Sequence, residues 1–361
     1  MNEVYFADAR VRELLPDKTL PAKFTRLLKK LDLASTVKGR RVAIKIHTGG
    51  NLGFTTIPPL FLRIMVRECK EAGAKKVAVM DGNIDGAVAR GYTREVLEAP
   101  VVSCFGRSGD RIYRKKVGMD GLQYAEFGAD AWDVDAFIDF SHLKAHGVAG
   151  FGGAIKNIAM GCVTGRTRGD IHRMEGGIVW DGEKCVRCLK CVKECPNRTN
   201  RFDEKGQYEV NFHNCTFCQH CILVCPKNAL ELDSENFEKF QEALARVAAV
   251  FLKHLAPDRV LFINILTSIT IYCDCWGMST PSLVPDIGIL AGRNIVAVEK
   301  ASLDRIKVSK LMPEGLPIGR KLARKTGHLF HRIHGKDPYV QVRKMDELGF
   351  GPAQYKIIEV R

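Results

Sequence analysis

Apolar runs that predict buried strands alternate with amphipathic segments that predict helices along most of the chain. The clearest unit is a strand at 41–47, a helix from 58 to 73 and a strand at 76–80, an order typical of parallel sheets. Further strands are predicted at 4–6, 101–104, 111–117, 122–127, 137–141, 260–265 and 284–290, the last interrupted by Pro285, and further helices at 21–33, 154–161 and 237–254. The pattern predicts an α/β fold with a mostly parallel sheet.

A cysteine-rich segment interrupts this alternation between Trp180 and Asp233, and helix and strand resume after it. An α/β domain that is split by an inserted module explains this order. We therefore divide the 361 residues into the first part of an α/β domain at 1–177, a ferredoxin-like α+β insert at 178–234 and the second part of the α/β domain at 235–361.

The insert holds eight of the 13 cysteines, and they repeat one ligand pattern, C-x-x-C-x-x-C-x-x-x-C-P. Three thiolates two residues apart can converge on three irons of one cubane cluster, and the fourth iron needs a ligand from elsewhere. In bacterial ferredoxins the fourth cysteine of each run ligates the other run's cluster. Two 4Fe-4S clusters are therefore predicted, one on Cys185, Cys188, Cys191 and Cys225 and the other on Cys215, Cys218, Cys221 and Cys195.

Zinc and disulfide bonds are the competing explanations for so many cysteines. Zinc usually takes two C-x-x-C pairs and disulfides belong to oxidising compartments, and neither accounts for a doubled run with proline after each fourth cysteine. Thiolate ligands indicate a reducing interior, so we expect a cytoplasmic protein of anaerobic or low-oxygen habit. Charged residues near the N-terminus argue against a signal peptide, and the longest apolar runs, such as 261–266, are too short to span a bilayer.

The formal net charge of +14 is concentrated near the C-terminus, where residues 293–344 contain 13 Lys and Arg against four Asp and Glu. The insert, by contrast, is balanced between Asp181 and Asp233. A basic segment can be a solvated surface or can dock an acidic partner. The basic residues lack interleaved aromatic side chains and a nucleic-acid motif, so a redox protein partner is expected rather than nucleic acid.

Three polar side chains, His47, Asp81 and His142, each follow a predicted strand directly. Ligands of open parallel sheets bind beyond the carboxyl ends of the strands, so these side chains are expected to line one crevice. Lys156 follows the glycines of 147–153, which could hold an anion on a helix N-terminus or simply let backbone pack closely. We take His47, His142 and Lys156 as candidate catalytic residues. The G-x-G-x-x-G fingerprint is absent, so no nicotinamide cofactor is expected.

Five cysteines lie outside the doubled run. Cys69 on a predicted helix face and Cys104 in an apolar strand are interpreted as small buried hydrophobes. Cys273 and Cys275 share a turn after an apolar strand, and Cys162 follows a helix end, so three thiols could meet at the mouth of the α/β domain. With a candidate histidine they would form a third metal site or a redox-active pair; the alternative is that all three are structural.

Together, these motifs resemble a family of iron-sulfur proteins catalogued as domain of unknown function 362. The likeness rests on the doubled cysteine run and on 42–47, 140–146, 150–157, 160–162, 273–275, 284–288 and the closing segment from Gly349, and so covers nearly the whole chain. The resemblance implies an α/β domain with an inserted two-cluster ferredoxin and a role in low-potential electron transfer. The chain departs from the family pattern at 48–50, where an aromatic residue, Gly and Glu are common, and at Glu299, where Asp is usual.

Two functions are consistent with these features. In the first, the protein is an electron carrier that passes electrons through both clusters to a partner redox enzyme. In the second, it is a reductase with its own active site or a third metal site in the α/β domain, since a carrier scarcely needs so large a second domain. The sequence names neither the electron donor nor the acceptor.

Overall fold

The computed structural model describes residues 1–50, 53–211 and 215–361. Its strands are β1 (Asn2–Asp8), β2 (Arg41–Lys45), β3 (Lys76–Asp81), β4 (Val101–Ser103), β5 (Ile112–Met119), β6 (Leu122–Gly128), β7 (Ala136–His142), β8 (Lys144–His146), β9 (Gly150–Gly152), β10 (Ile178–Trp180), β11 (Asn200–Phe202), β12 (Tyr208–Val210), β13 (Leu230–Leu232), β14 (Val260–Leu266), β15 (Gly288–Gly292) and β16 (Tyr355–Val360). Its α-helices are α1 (Leu20–Lys30), α2 (Leu33–Val37), α3 (Pro59–Glu71), α4 (Arg94–Leu97), α5 (Ala129–Trp132), α6 (Ala154–Gly161), α7 (Gly165–His172), α8 (Lys190–Lys193), α9 (His220–Leu223), α10 (Ser234–Leu252), α11 (Ile295–Arg305), α12 (Leu329–His334) and α13 (Tyr339–Met345).

The central sheet has eight strands in the order β16-β1-β15-β14-β7-β2-β3-β4. Five of the neighbouring pairs are parallel, and only β15 runs antiparallel to both of its neighbours. The predicted mostly parallel α/β sheet is confirmed. Because β2, β3, β7 and β14 point the same way, their carboxyl ends meet at one edge, where ligands of such sheets bind.

Helices cover both faces of this sheet. One apolar core lies under α1 and α3 and includes Phe24, Leu62 and Met65, and a second lies under α6, α10 and α11 and includes Phe240 and Val298. All seven residues of β7 and all seven of β14 are buried, as expected for strands that are covered on both sides.

Two sequence predictions differ from the structure, and a pair of predicted strands is present outside the central sheet. The strand predicted at 284–290 is wrong at its start: β15 begins at Gly288, because Pro285 has no amide to donate to a ladder. The helix predicted at 21–33 is two helices, α1 and α2, separated at Asp32, which has a left-handed φ of 51°. The strands predicted at 111–117 and 122–127 pair as a separate antiparallel hairpin, β5–β6.

Within its described residues, 178–211 and 215–234, the cysteine-rich segment contributes no strand to the central sheet. Within it β10 pairs with β13 and β11 pairs with β12, both antiparallel, so the two ends of the segment lie side by side. Helix α10 follows directly, with the side chain of Asp233 accepting a hydrogen bond from the Asn236 amide at 3.2 Å. This N-cap stabilises the return of the chain to the α/β domain.

The Gly-rich turn predicted at 48–53 lies partly outside the described residues, since Asn51 and Leu52 are not among them. In the described parts of the chain, no helix is both long enough and apolar enough to cross a membrane.

Candidate functional site

The two cysteine runs have the same backbone conformation, 30 residues apart. Left-handed φ values occur at Arg187 (52°), Leu189 (58°) and Arg198 (52°) in the first run and at Phe217 (49°), Gln219 (64°) and Asn228 (49°) in the second. Left-handed backbone is uncommon for residues other than glycine. Its repetition at equivalent positions shows that both loops curl in the same way around the space between their cysteines.

Each loop encloses one cavity, and each cavity is lined by four cysteines. The first cavity, about 370 Å³, is lined by Cys185, Cys188, Cys191 and Cys225. The second, about 310 Å³, is lined by Cys195, Cys215, Cys218 and Cys221. Three cysteines of one run and the fourth of the other thus meet in each cavity.

The donors around these sulfurs suit bound thiolates. Backbone amides of Thr199 and Ala229 donate to the sulfurs of Cys195 (3.3 Å) and Cys225 (3.2 Å). Hydrogen bonds to the cluster sulfurs tune iron-sulfur centres. In the iron-free chain, burial raises the pKa of Cys221 to about 12, so the thiol keeps its proton at neutral pH unless bound iron displaces it. Four sulfurs, amide donors and an apolar lining fit a 4Fe-4S cluster in each cavity.

The two cavities differ in exposure. Beside the first cavity Val186 is 57% exposed, Leu189 is 45% exposed and Cys188 is exposed. Aromatic side chains shield its inner side: Trp180, Phe202 and Tyr208 line it. Tyr208 lies close enough to the second cavity to affect the pKa of its Cys221 thiol.

The second cavity faces the α/β domain. Lys336 is buried beside it, with its ammonium 4.9 Å from the centre of the Phe217 ring and 4.2 Å from that of Phe237. Burial lowers the pKa of Lys336 to about 7, against the opposing influence of Cys215. Among the described residues the Lys336 nitrogen has no hydrogen-bond acceptor.

A larger cavity of about 1090 Å³ lies at the carboxyl edge of the sheet. It is lined by all three candidate catalytic residues, His47, His142 and Lys156, and by Asp81. These side chains come from the ends of β2, β3 and β7 and from α6, so the parallel sheet brings them to one place. We call it the edge cavity.

Asp81 is the centre of one buried network in this cavity. Its carboxylate accepts from the Lys45 ammonium at 2.9 Å and from the Thr48 amide at 2.9 Å, and lies 3.2 Å from His47 Nδ1. Burial alone would raise the pKa of Asp81, but the charges of Lys45 and His47 and the hydrogen bonds hold it well below its usual value. Asp81 is therefore a fixed anion that positions His47.

Asp274 is the centre of a second network. Its two oxygens meet His142 Nδ1 at 2.9 Å and Lys144 Nζ at 2.5 Å. Burial opposes ionisation, but the charges of His142 and Lys144 overcome it and keep the pKa of Asp274 far below normal. His142 Nε2 lies 2.7 Å from the Thr267 carbonyl. A carbonyl only accepts, so both ring nitrogens donate and His142 is an imidazolium.

Cys273 and Cys275 project from the turn that Asp274 anchors, and both line the edge cavity. The Cys275 sulfur lies 3.6 Å from Lys156 Nζ and 3.6 Å from His146 Nε2. His146 Nδ1 accepts two backbone amides, so its proton is on Nε2 and points at Cys275. A hydrogen bond from Cys275, together with the Lys156 charge, lowers the pKa of Cys273 well below normal. The pair therefore holds one negative charge.

Cys162 is not part of this arrangement. It is fully buried and hydrogen-bonded to Cys104, and it is not among the residues that line the edge cavity. The expectation that Cys162 meets Cys273 and Cys275 is wrong. Cys162 directly follows α6, and its carbonyl accepts a hydrogen bond from the amide of Gly128 at the end of β6. In residues 1–50, 53–211 and 215–361, no three Cys, His, Asp or Glu side chains are arranged for a single metal ion. Cys69 and Cys104 are buried, as predicted.

The helix N-terminus that the glycine-rich stretch was suggested to offer to an anion is occupied by a carboxyl group of the protein itself. Glu299 accepts from the Ile155 amide at 2.9 Å and fills the space beside Gly153, where a Cβ would lie 2.5 Å from its oxygen. Lys144, the other suggested contact, is committed to Asp274. The N-terminus of α6 is thus capped from within.

Sequence analysis did not predict the roles of four residues: Asp274, Trp276, Arg168 and Lys336. A charged residue between two cysteines, directly after apolar 260–266, was the one available signal for Asp274. No sequence signal pointed to Lys336, because it lies more than a hundred residues from the cysteines that it faces.

Comparison with known proteins identifies the family of the chain. The family described as "Domain of unknown function (DUF362)" matches residues 42–304. Curated relatives match the chain over short stretches. Pyruvate synthase subunit PorD of Methanocaldococcus jannaschii is 36% identical over 52 residues, which is 14% of this chain and 60% of that protein. NAD(P)H-quinone oxidoreductase subunit I of Gloeobacter violaceus is 30% identical over 74 residues, 18% of this chain and 35% of that protein.

A ferredoxin of Pyrobaculum islandicum is 33% identical over 58 residues, 16% of this chain and 54% of that protein. The chain spans less than two thirds of the length of each of these relatives. Among solved structures, the lactate racemase apoprotein of Thermoanaerobacterium thermosaccharolyticum has 12% sequence identity and a TM-score of 0.37, over 70% of this chain and 52% of that one.

Proposed function

Since the chain belongs to the DUF362 family, whose description leaves the activity open, we propose its function from the site: it transfers low-potential electrons through two 4Fe-4S clusters to a partner redox enzyme. The observation that carries the proposal is the lining of the two small cavities. Each contains three cysteines of one run and the fourth of the other, as in two-cluster bacterial ferredoxins. Zinc bound by two separate C-x-x-C pairs would not require each site to take cysteines from both runs.

The chain's own residues hold and insulate the clusters, which when bound supply reversible one-electron transfer. The eight cysteines provide the ligands, and the amides of Thr199 and Ala229 donate to two of their sulfurs. The aromatic side chains of Trp180, Phe202 and Tyr208 exclude water from the inner side of the first cavity. We assign 178–234 as the inserted ferredoxin-like module on the same grounds, with the α/β domain at 1–177 and 235–361.

Exposure sets the direction of transfer. The first cavity lies beside exposed Val186, Cys188 and Leu189, so an external donor can approach there. The second cavity contains the buried Cys221 and has the buried Lys336 beside it. Electrons therefore enter at the first cavity, pass the Tyr208 region and reach the second.

The basic C-terminal segment is the proposed docking surface. The Lys321 ammonium pairs with Glu194 at 2.5 Å, and the Lys321 amide donates to His220 at 3.0 Å, which brings this segment against both cysteine runs. Arg324 and Lys325 next to it are exposed. An acidic redox protein that docks there is guided to the cluster-binding module by charge. Thiolate-held clusters favour a reducing, oxygen-poor compartment for this exchange.

Anaerobic purification followed by iron and sulfide analysis tests the proposal, with about eight irons per chain expected for two cubanes. Electron paramagnetic resonance of the reduced protein should show two interacting clusters. Protein that holds only zinc would refute the proposal.

The crossed ligand sets have their own test. Cys225→Ala and Cys185→Ala should each lose the same cluster, and Cys195→Ala and Cys215→Ala the other, so each pair should share one residual spectrum. Cys69→Ala, at a buried cysteine away from the module, is the control and should keep both signals. If Cys225→Ala instead matches Cys215→Ala, the crossed assignment is wrong.

A further inference from the structure

The edge cavity contains a pair of thiols that the electron-transfer function does not use. Cys273 and Cys275 lie two residues apart on a turn that is fixed by the buried Asp274, and both line this cavity. Lys156 and His146 both point hydrogen-bond donors at the Cys275 sulfur. Thiol–disulfide exchange needs a thiolate with a second thiol in reach, and this pair provides both.

The thiol pair is adjacent to the second cysteine-lined cavity. Trp276, bonded to Cys275, lines both the edge cavity and a cleft of about 2160 Å³ that Cys215 also lines. Thr216, bonded to Cys215, accepts a hydrogen bond from the Tyr272 hydroxyl at 3.3 Å. The rings of Tyr272 and Trp276 stack with centroids 4.8 Å apart. Packed side chains therefore connect a cluster ligand to the thiols without a gap.

Gly147 allows this close approach. A Cβ at Gly147 would lie 2.8 Å from the Trp276 ring and 3.2 Å from the Thr216 carbonyl. A side chain there would separate the module from the thiol turn. The glycine is required by the contact rather than by its own backbone conformation.

The edge cavity carries an excess of positive charge. Asp81 is paired with Lys45 and Asp274 with Lys144, and the thiolate of the pair is offset by Lys156. The Arg168 guanidinium donates only to the Met160 and Val163 carbonyls, and the described residues give it no acidic partner. His142 is committed to Asp274 and the Thr267 carbonyl, so Arg168 is the cation that is left to attract an anionic ligand.

We propose that Cys273 and Cys275 form a redox-active dithiol that reduces a small anionic disulfide, using electrons that arrive through the module. This rests on the proposed electron-transfer function and names its acceptor. A disulfide is the substrate class because exchange with a dithiol is the reaction that the pair can perform without another cofactor. An anionic one is selected by Arg168.

The reduction takes two thiol–disulfide exchange steps and one regeneration step. The thiolate of the pair attacks one sulfur of the substrate disulfide, which forms a mixed disulfide and releases one substrate thiolate that takes up a proton. The second cysteine loses its proton, attacks the mixed disulfide and releases the second substrate thiol, leaving a Cys273–Cys275 disulfide. Two electrons from a low-potential donor and one proton restore the thiolate–thiol pair. The net change converts one disulfide, two electrons and two protons into two thiols.

Differential alkylation tests the dithiol on the anaerobic holoprotein. After treatment with glutathione disulfide, the peptide containing Cys273 and Cys275 should escape iodoacetamide and have lost two hydrogens by mass spectrometry. After reduction by reduced methyl viologen it should carry two labels. Two labels in both samples would overturn the proposal.

The electron route is tested by Cys215→Ala, which removes a ligand of the second cluster. In this variant reduced methyl viologen should leave the Cys273–Cys275 disulfide largely intact, and equal reduction would show that the route is wrong. Cys69→Ala is the control, as a buried cysteine outside both sites. Iron content is measured on the same samples: missing clusters would refute the proposed function, whereas full clusters with inert thiols would refute only this inference.

Substrate charge is tested with two disulfides of opposite charge, glutathione disulfide and cystamine. Arg168→Gln should raise KM for glutathione disulfide at least about tenfold, as for a lost charged hydrogen bond, and leave that for cystamine unchanged. Arg166→Gln, at an exposed neighbour, is the matched control. An equal rise in KM for both substrates, or turnover of neither, would overturn the proposal that the substrate is an anionic disulfide.

Discussion

At the scale of single residues, the most informative side chains are buried charges whose partners lie more than a hundred residues away in the chain. Lys336 lies beside Cys215 without a hydrogen-bond acceptor among the described residues, and Asp274 is shared by His142 and Lys144. Burying a charge is costly unless it is compensated. Asp274 is compensated by the chain itself, and Lys336 by the negative charge expected on an adjacent cluster.

Replacing Lys336 with Met should lower the reduction potential of the second cluster. Removing a positive charge at this range destabilises the reduced, more negative state by on the order of 100 mV in a partly buried site. Potentiometric titration followed by electron paramagnetic resonance measures it. Lys325→Met, at an exposed lysine, should leave both potentials unchanged; a shift of the first cluster alone would contradict the assignment.

Replacing Asp274 with Asn should destabilise the protein strongly. The change leaves Lys144 and the imidazolium of His142 buried without their carboxylate, which typically costs about 3–5 kcal/mol. Anaerobic urea unfolding followed by tryptophan fluorescence gives the free energy of unfolding. Asp258→Asn, which removes only an exposed ion pair with Arg40, is the control and should cost about 1 kcal/mol or less.

At the scale of elements, Glu299 joins α11 to the start of α6 and to β14. Its carboxyl accepts from the Ile155 amide and from Asn264. Burial raises its pKa from 4.5 to about 8, and the nearby Asp139 contributes in the same direction. The glycine-rich stretch before α6 is therefore part of a structural junction between three elements.

This junction predicts a dependence of stability on pH. A carboxyl whose pKa is higher in the folded state gives stability that is full below about pH 4.5 and is lost as the pH rises through about 8. Glu299→Gln should remove that contribution, so the melting temperature of wild type relative to the variant should fall between pH 6 and pH 8.5. Thermal scans by circular dichroism measure it.

The expected change in relative stability is on the order of 1–3 kcal/mol. Glu314→Gln, at an exposed position on another segment, should show no such pH dependence relative to wild type. A pH-independent difference between wild type and Glu299→Gln would mean that Glu299 is ionised throughout.

At the scale of the whole molecule, the basic segment contacts the module rather than lying apart from it. Lys321 reaches Glu194 and His220, next to a cysteine of each run. Not all of the segment's charge is available for docking, since Lys336 is buried and Arg293 donates to the Leu31 and Asp32 carbonyls. The exposed charges that remain near the module are those of Arg324 and Lys325.

Reversing these two charges should slow electron exchange with an acidic redox protein. Arg324→Glu with Lys325→Glu should reduce the association rate about tenfold at low ionic strength, and the difference should shrink as salt screens the surface. Stopped-flow reduction by an acidic ferredoxin measures it. Lys76→Glu, at the opposite, amino-terminal end of β3, is the control; equal slowing by both would mean that net charge alone acts.

The sequence by itself determined the parts whose cause is local. Eight cysteines at fixed spacing specify two ligand sets because neighbouring thiolates must converge on one cluster, and apolar periodicity specifies the parallel strands whose ends place His47 and His142. Tertiary structure alone decided which distant groups meet: Cys162 with Cys104, Glu299 with α6, Tyr272 with Thr216, and Lys336 with Cys215. Spacing along a chain cannot report these contacts, because each depends on how whole elements pack against one another.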